Sequence, residues 1–261
     1  MTSTVNLEID GPVARVTLNR PDAANTLNMA MGRDLLAVAL ACENDARVRA
    51  VVLTGAGKNF CFGGDLRGMM AEGGNVAAYL NELTTNLHAA IASFTRMNAP
   101  VIAAVNGTAA GAGVGLVAMA DLAVAAQSAK FALAYTGVGL TPDGSTSFLL
   151  PRVIGRKRAM ELFLTNRPLG AEEALAWGLV NQVVADEALV ETASQLASRL
   201  AAGPTAAFGA VKRLMASSQA GLETQMALEG RTIAAQAASS EGGEGINAFL
   251  EKRQPGFARD S

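Results

Sequence analysis

The stretch Asn106-Gly-Thr-Ala-Ala-Gly-Ala-Gly-Val-Gly115 lies between two apolar runs, Pro100-Val-Ile-Ala-Ala-Val105 and Leu116-Val-Ala-Met119. This pattern predicts a strand that ends in a glycine turn and opens directly into a buried helix. The first N–H groups of a helix have no intrahelical partner and carry the positive end of its dipole. Small side chains let an outside group approach that backbone closely. Such a turn can hold an anion, or an oxygen that becomes anionic during a reaction. The same glycines also suit plain close packing of strand against helix, and the residues alone leave both readings open. The spacing Gly111-x-Gly113-x-Gly115 is not a dinucleotide fingerprint, and no Gly-Lys-Ser/Thr end makes it a phosphate loop. A second turn of the same kind, Phe60-Cys-Phe-Gly-Gly-Asp65, follows another apolar segment.

Other reactive side chains are sparse. His88 is the one histidine, and a histidine on an amphipathic helix is most simply a surface or packing residue. With Cys42 and Cys61 the only thiols, no Cys/His cluster offers a zinc site, no disulfide framework exists, and both cysteines read as packing residues. A Ser-His-Asp triad would have to use His88, and no G-x-S-x-G elbow supports it.

These turns need a scaffold. Val5–Ile9 and Val13–Leu18, separated by Asp10-Gly-Pro12, predict a hairpin. Met29–Asn44 has apolar residues at helical spacing, and Val48–Leu53 is a β-branched strand ending at Thr54-Gly-Ala-Gly57. Residues 68–77, with Gly68, Gly73 and Gly74, lack a period and predict a loop. Leu80–Met97 predicts a helix, Val101–Val105 a strand, 114–120 a short helix, and Leu122–Ala125 and Lys130–Ala134 short strands. Residues 145–166 predict helices broken at Pro151 and Gly155. Ala171–Gly178 reads as a helix and Leu179–Val184 as a strand. From Glu187 onward the chain reads as helical, with breaks at Gly203-Pro204 and Glu241-Gly-Gly-Glu244. The expected organisation is an α/β core over 1–190 and a helical C-terminal region over 191–261.

With 261 residues and half of them apolar, a sizeable core is available, and the scarcity of aromatics (5%) beside many Ala and Gly predicts closely packed backbones. The net charge of −2 without a basic block argues against nucleic acid as a partner. No apolar run is long enough for a membrane span, and the N-terminal residues lack the basic and apolar regions of a signal peptide, so a cytoplasmic protein is expected.

Taken together, the motifs resemble the crotonase, or enoyl-CoA hydratase/isomerase, superfamily. The resemblance runs through Asn19-Arg-Pro, Asn25-Thr-Leu27, Leu53-Thr-Gly-Ala-Gly57, Phe60-Cys-Phe-Gly-Gly-Asp-Leu66 and Pro100-Val-Ile-Ala-Ala-Val-Asn-Gly107 with its glycine turn. It continues through Asp121-Leu-Ala-Val-Ala, Ser128-Ala-Lys-Phe131, Leu149-Leu-Pro-Arg152, Gly155, Ala174-x-x-x-Gly178-Leu-Val and Phe249-Leu-Glu-Lys-Arg253. It implies an α/β spiral of ββα turns with a helical C-terminal trimerisation region, assembled as a homotrimer or a dimer of trimers. It implies an acyl-CoA thioester substrate, no metal and no cofactor beyond the coenzyme A of the substrate. The two backbone N–H groups that polarise the thioester carbonyl would be those of Gly64 and Ala112. Such donors lower a barrier by roughly 3–4 kcal/mol each in well-studied oxyanion holes. The CoA would meet the backbone near Ala23, Ala24, Asn25 and Leu27 and that of Gly64, Asp65 and Leu66. Phe249 and Lys252 would reach the CoA of a neighbouring subunit.

The chain also departs from the family's hydratases. Their two catalytic glutamates fall on Gly115 and Tyr135, so the acid and base that hydration requires are both missing. Asp143, in Gly139-Leu-Thr-Pro-Asp-Gly144, is by itself a fair helix cap. In the resemblance it matches the acid/base of certain enoyl-CoA isomerases, including ring-epoxide isomerases of phenylacetyl-CoA, and also the nucleophile of 4-chlorobenzoyl-CoA dehalogenases. One carboxylate suffices to move a proton between two carbons of an enolised acyl chain, and the apolar neighbours Leu140, Phe148 and Leu149 suit that task. His88 matches a histidine of the dehalogenases and is a possible accessory residue, whereas Tyr135 stands where they carry tryptophan. Tyr135 could donate a hydrogen bond to the substrate pocket or simply pack there. The expected activity is therefore an enoyl-CoA isomerase. An enoyl-CoA hydratase is the alternative; a dehalogenase-like hydrolase or a silent acyl-CoA-binding protein comes further behind.

Overall fold

A computed structural model describes residues 3–71, 75–218 and 221–257. The chain opens with a hairpin of β1 (Val5–Asp10) and β2 (Val13–Leu18), followed by α1 (Met29–Asn44). A repeating unit then begins. β3 (Ala50–Gly55) leads into the short β4 (Asn59–Cys61) and the helices α2 (Leu66–Ala71) and α3 (Val76–Arg96). β5 (Val101–Val105) leads into β6 (Thr108–Ala110) and α4 (Ala112–Met119). β7 (Leu122–Ala126) leads into β8 (Lys130–Ala132), α5 (Thr146–Ile154) and α6 (Arg156–Thr165). After β9 (Leu169–Gly170), α7 (Ala171–Trp177) and β10 (Gln182–Val184), the chain is helical: α8 (Leu189–Ala201), α9 (Thr205–Ser217), α10 (Leu222–Ala237) and α11 (Ser240–Leu250).

Within the repeats each long strand joins one sheet and each short one another, and the short β10 extends the larger sheet beside β7. The larger sheet runs β1-β2-β3-β5-β7-β10 and the smaller β4-β6-β8-β9. All pairings are parallel except β1 with β2 and β8 with β9. This alternation is the spiral of ββα turns that the resemblance implies.

The period of two within the strands sorts their side chains. Val51, Leu53, Val101, Ala103 and Val105 face the main core with α1, α3 and α4. Val52, Ile102, Ala104 and Val124 face the opposite way, against Ala193, Ala197 and Ala201 of α8. Alanine on both surfaces lets helix and sheet approach closely, which accounts for the low aromatic content. Beyond α8, α9 is tied down by Lys212, whose Nζ lies 2.8 Å from Asp121 Oδ2 and 3.0 Å from the carbonyl oxygens of Phe94 and Ala99. α10 buries no residue in this chain.

Several local expectations change. Residues 68–71 belong to α2 and α3 already starts at Val76; Gly73 and Gly74 lie outside the described residues. Pro151 sits inside α5, and the break comes at Gly155, where φ is +85°. The strand of 179–184 is shorter, Gln182–Val184. The break expected at Glu241–Glu244 falls instead at Ala238-Ser239, and the glycines are helical. Ser239 caps α11 by accepting from Gly242 N–H at 3.0 Å. A Cβ on Gly242 would lie 2.0 Å from Gln236 O, so that glycine serves close approach rather than termination.

Candidate active site

Two turns at the ends of short strands face one cavity. After β4, residues 62–65 pair with the segment before α1: Leu27 N–H donates to Gly63 O (2.7 Å) and Asp65 N–H donates to Leu27 O (3.0 Å). In this parallel bridge between Leu27 and Gly64, the N–H of Gly64 points away from its partner strand. After β6, Gly111 (φ +50°) donates to Ala132 O at 2.8 Å, and Ala112 starts α4, so its N–H is one of the helix's unpaired donors. The turns abut. A Cβ on Gly63 would lie 2.8 Å from Ala110 O and 3.5 Å from Ala112 N, and one on Gly113 would lie 2.2 Å from Cys61 O. Glycine is thus required where the two turns touch. Gly64 and Ala112 both line a cavity of about 330 Å³.

Asp143 enters the same cavity from the segment between β8 and α5. Its carbonyl oxygen accepts from Tyr135 OH (2.9 Å) and Thr146 Oγ1 (2.7 Å). The next residues, Gly144 (φ +59°) and Ser145 (φ +65°), turn sharply into α5. Ser145 occupies the cap position, so the carboxylate of Asp143 is not a helix cap, contrary to the simplest reading of its sequence context. The turn packs on α4: a Cβ on Gly144 would lie 2.8 Å from Ala112 Cβ, and one on Gly115 only 1.9 Å from Gly144 O. Gly115 therefore leaves the space through which the Asp143 segment passes.

The side chain of Asp143 is 35% exposed, and its Oδ1 lies 2.7 Å from Nε2 of His88 on α3. His88 itself does not line the cavity. Burial pushes the Tyr135 phenol above its ordinary range, with the hydrogen bonds involving Thr146 and Asp143 working the other way, so Tyr135 is a neutral donor. Leu140 lines the cavity, whereas the exposed Phe148 lies under the Arg152 guanidinium (3.5 Å to the ring centre) and Leu149 lies on a neighbouring cavity. The expected apolar surround of Asp143 is therefore one-sided.

The other predicted residues divide. Leu27, Gly64, Leu66 and Tyr135 line the cavity with Asp143 and Ala112. Ala23, Ala24, Asn25 and Asp65 lie beside it, in and around the Leu27–Gly64 pairing. The Asn25 side chain is fully buried and committed: its amide donates to Ala56 O and Asn59 O and its oxygen accepts from Arg20 N–H, which leaves only its backbone for a ligand. Asp65 is likewise structural. Partial burial opposes ionisation, but hydrogen bonds from Gly68 N–H and Arg20 hold its carboxyl below the usual value. Phe249 and Lys252 are exposed and do not line the cavity of their own chain.

Sequence reasoning did not single out Met69, Leu83, Thr84 and Leu87 as individual cavity walls, and it missed Thr146 as a hydroxyl that fixes Asp143. The α3 positions repeat at helical spacing and look like any core stripe. Among the described residues, no three His, Cys, Asp or Glu side chains gather to hold a metal ion, and no helix is long and apolar enough to cross a membrane.

Comparison with known proteins adds the chemical context. Residues 8–260 match the family model described as Enoyl-CoA hydratase/isomerase. The chain is 40% identical over 258 residues to the 1,2-epoxyphenylacetyl-CoA isomerase of Escherichia coli (strain K12), covering 95% of this chain and 96% of that protein. It is 34% identical over 250 residues to 4-chlorobenzoyl coenzyme A dehalogenase-2 of Arthrobacter sp, covering 95% and 91%. The crystal structure of an enoyl-CoA hydratase from Mycobacterium smegmatis matches with a TM-score of 0.91 at 39% identity, covering 98% of this chain and 99% of that one.

Proposed function

The chain belongs to the enoyl-CoA hydratase/isomerase family, and from that premise we propose that this acyl-CoA-processing enzyme is an isomerase that shifts a double bond along the acyl chain. The thioester oxygen accepts from the N–H groups of Gly64 and Ala112. Asp143 takes a proton from one carbon of the acyl chain, the two amides hold the resulting dienolate, and Asp143 returns the proton two carbons away. Nothing is consumed, and coenzyme A enters and leaves as part of the substrate.

The observation that carries this reading is the contact between Gly115 and the Asp143 turn. Gly115, which the resemblance matches to one hydratase glutamate, admits no side chain, and among the described residues a single carboxylate lines the cavity with the two amides. The cavity wall supports an uncharged, apolar acyl group, because Leu66, Met69, Leu83 and Leu87 dominate it and no Lys or Arg lies on it among the described residues. The name of the E. coli relative makes a ring-epoxide thioester a substrate to try.

The CoA moiety would run along the backbone at Ala23–Leu27 and Gly64–Leu66. Phe249 and Lys252 would serve a neighbouring subunit of a homotrimer or dimer of trimers. Supporting the assembly, Val211, Met215, Leu222, Met226 and Ile233 are exposed on α9 and α10.

A panel of 2-enoyl-, 3-enoyl- and ring-epoxide-CoA thioesters, assayed with the wild type and Asp143→Asn, tests the reading. The variant should lose at least about a hundredfold in kcat, within the ~10²–10⁴ usual for an acid–base group, with little change in KM. Crotonyl-CoA hydration should be slow. Near-normal isomerisation by the variant, or hydration at about 10² per second or more, refutes the assignment.

The His88–Asp143 contact favours one second reading, in which Asp143 attacks a chlorinated ring carbon of an aroyl-CoA, chloride leaves, and water hydrolyses the aryl ester. Chloride release from 4-chlorobenzoyl-CoA distinguishes it.

A further inference from the structure

Asp143 stands on a partition. Besides the 330 Å³ cavity that holds the two turns, it lines a second cavity of about 520 Å³, walled by His88, Ile91, Thr95, Arg96 and Ser145. Its main chain is fixed, because Tyr135 and Thr146 both donate to its carbonyl oxygen. What remains free are the two side-chain torsions, and turning about them would swing the carboxylate from one cavity into the other. Among the described residues, one side-chain contact opposes that swing: His88 Nε2 at 2.7 Å from Oδ1. Oδ2 has no partner among the described residues.

We propose that His88 is a positioning residue for Asp143. Its Nε2–H donates to Oδ1, keeps the carboxylate on the partition, and leaves Oδ2 as the single basic oxygen that takes and returns the substrate's proton. A hydrogen bond to an ionised carboxylate is about twice as strong as one between neutral groups, which suits a holding contact. α3 supplies a firm base for it, since Leu83 and Leu87 on the same helix are buried. His88 lies outside the substrate cavity and therefore acts through Asp143 alone. Arg96 is the other charged group on the second cavity, and it is retained in every variant below. The inference rests on the acid/base role proposed for Asp143.

The chain's single histidine makes the contact directly observable, because every imidazole signal in a ¹⁵N NMR spectrum belongs to His88. The wild type should show the Nε2–H tautomer, and Asp143→Asn should move the ring signals. In kinetics, His88→Leu should lower kcat by about 10–100-fold with KM within about twofold, while His88→Gln, which keeps a side-chain N–H, should recover to within about threefold of wild type. Ring signals indifferent to Asp143→Asn overturn the proposal. So does a glutamine variant no better than leucine, or a leucine variant at the wild-type rate. If the wild type isomerises no enoyl-CoA, the isomerase reading fails separately. The same variants are then compared by deuterium exchange at C2 of a saturated acyl-CoA, with the NMR arm unaffected.

Discussion

Adding a single methyl group at Gly115 should disable the enzyme without touching any reacting group. The built Cβ lies 1.9 Å from Gly144 O, 3.0 Å from Gly144 C and 3.3 Å from Thr146 Cγ2. Real Cβ–oxygen contacts below 3.0 Å are essentially never seen, so the 143–145 turn must retreat by about 1 Å or more. It cannot do so quietly, because Gly144 also rests on Ala112 and the Asp143 carbonyl is held by Tyr135 and Thr146. Overpacking of this kind costs about 1–3 kcal/mol of stability. A displacement of about 1 Å at a catalytic group costs roughly 10²-fold in rate. Gly115→Ala should therefore lower Tm by several degrees and kcat by about a hundredfold, with the loss in kcat far exceeding what the remaining folded fraction explains. Gly115→Glu should likewise gain no hydratase activity, since the turn fills the space the glutamate needs. Gly170→Ala, where nothing lies within 4 Å and which stands outside α9 and α10, is the matched control. The assays are thermal unfolding and isomerisation of a 3-enoyl-CoA. A Gly115→Ala enzyme with wild-type Tm and turnover would show that the turn yields freely and that its position does not govern the chemistry.

Three further outcomes are expected. Lys212→Met removes a cation that is 8% exposed and leaves Asp121, which keeps 27% exposure, with its hydrogen bond from Val101 N–H; unfolding in urea should show a loss of about 3 kcal/mol, the lower end for a broken buried pair, and an unchanged midpoint refutes it. Burial pushes the Cys61 thiol up to about 12, with the Gly63 backbone hydrogen bond working the other way, and burial beside Asp45 pushes Cys42 up to about 11. Both thiols stay protonated and covered at pH 8, so neither should react with a thiol reagent until denaturant is added; stoichiometric labelling of native protein refutes this. Light scattering should give about 80 or 160 kDa, three or six times 26.7 kDa, and a stable active monomer refutes both the assembly and the shared CoA site.

What the sequence disclosed follows from how local each feature is. β3, β5 and β7 were legible because a strand buried on both faces must be an unbroken apolar run, and Ala50–Leu53 and Val101–Val105 are such runs. Both glycine turns were legible for a related reason: an amide can be presented at a strand's end only where small residues allow close approach, and that demand is written into consecutive positions. Helix boundaries were less legible where tertiary contact overrides propensity. Gly242 looks like a breaker, yet it is the residue that lets α11 cross close to Gln236 O.

The site's geometry was least legible because its decisive contacts join distant positions. His88 and Asp143 are 55 residues apart, and local sequence does not join them; only the resemblance to the dehalogenases suggests that both belong to one site. Gly115 is the sharpest case. In sequence it reads as the loss of a hydratase carboxylate, an absence that says nothing about what replaced it. In the structure, that missing side chain is the passage through which the turn carrying Asp143 reaches Ala112. On the proposed reading the absent glutamate and the present aspartate are one structural change, since a side chain on α4 at that point and the turn over it cannot occupy the same space. This mutual exclusion is why a carboxylate inserted at Gly115 should not add a second acid to the first. It should displace the one that is there.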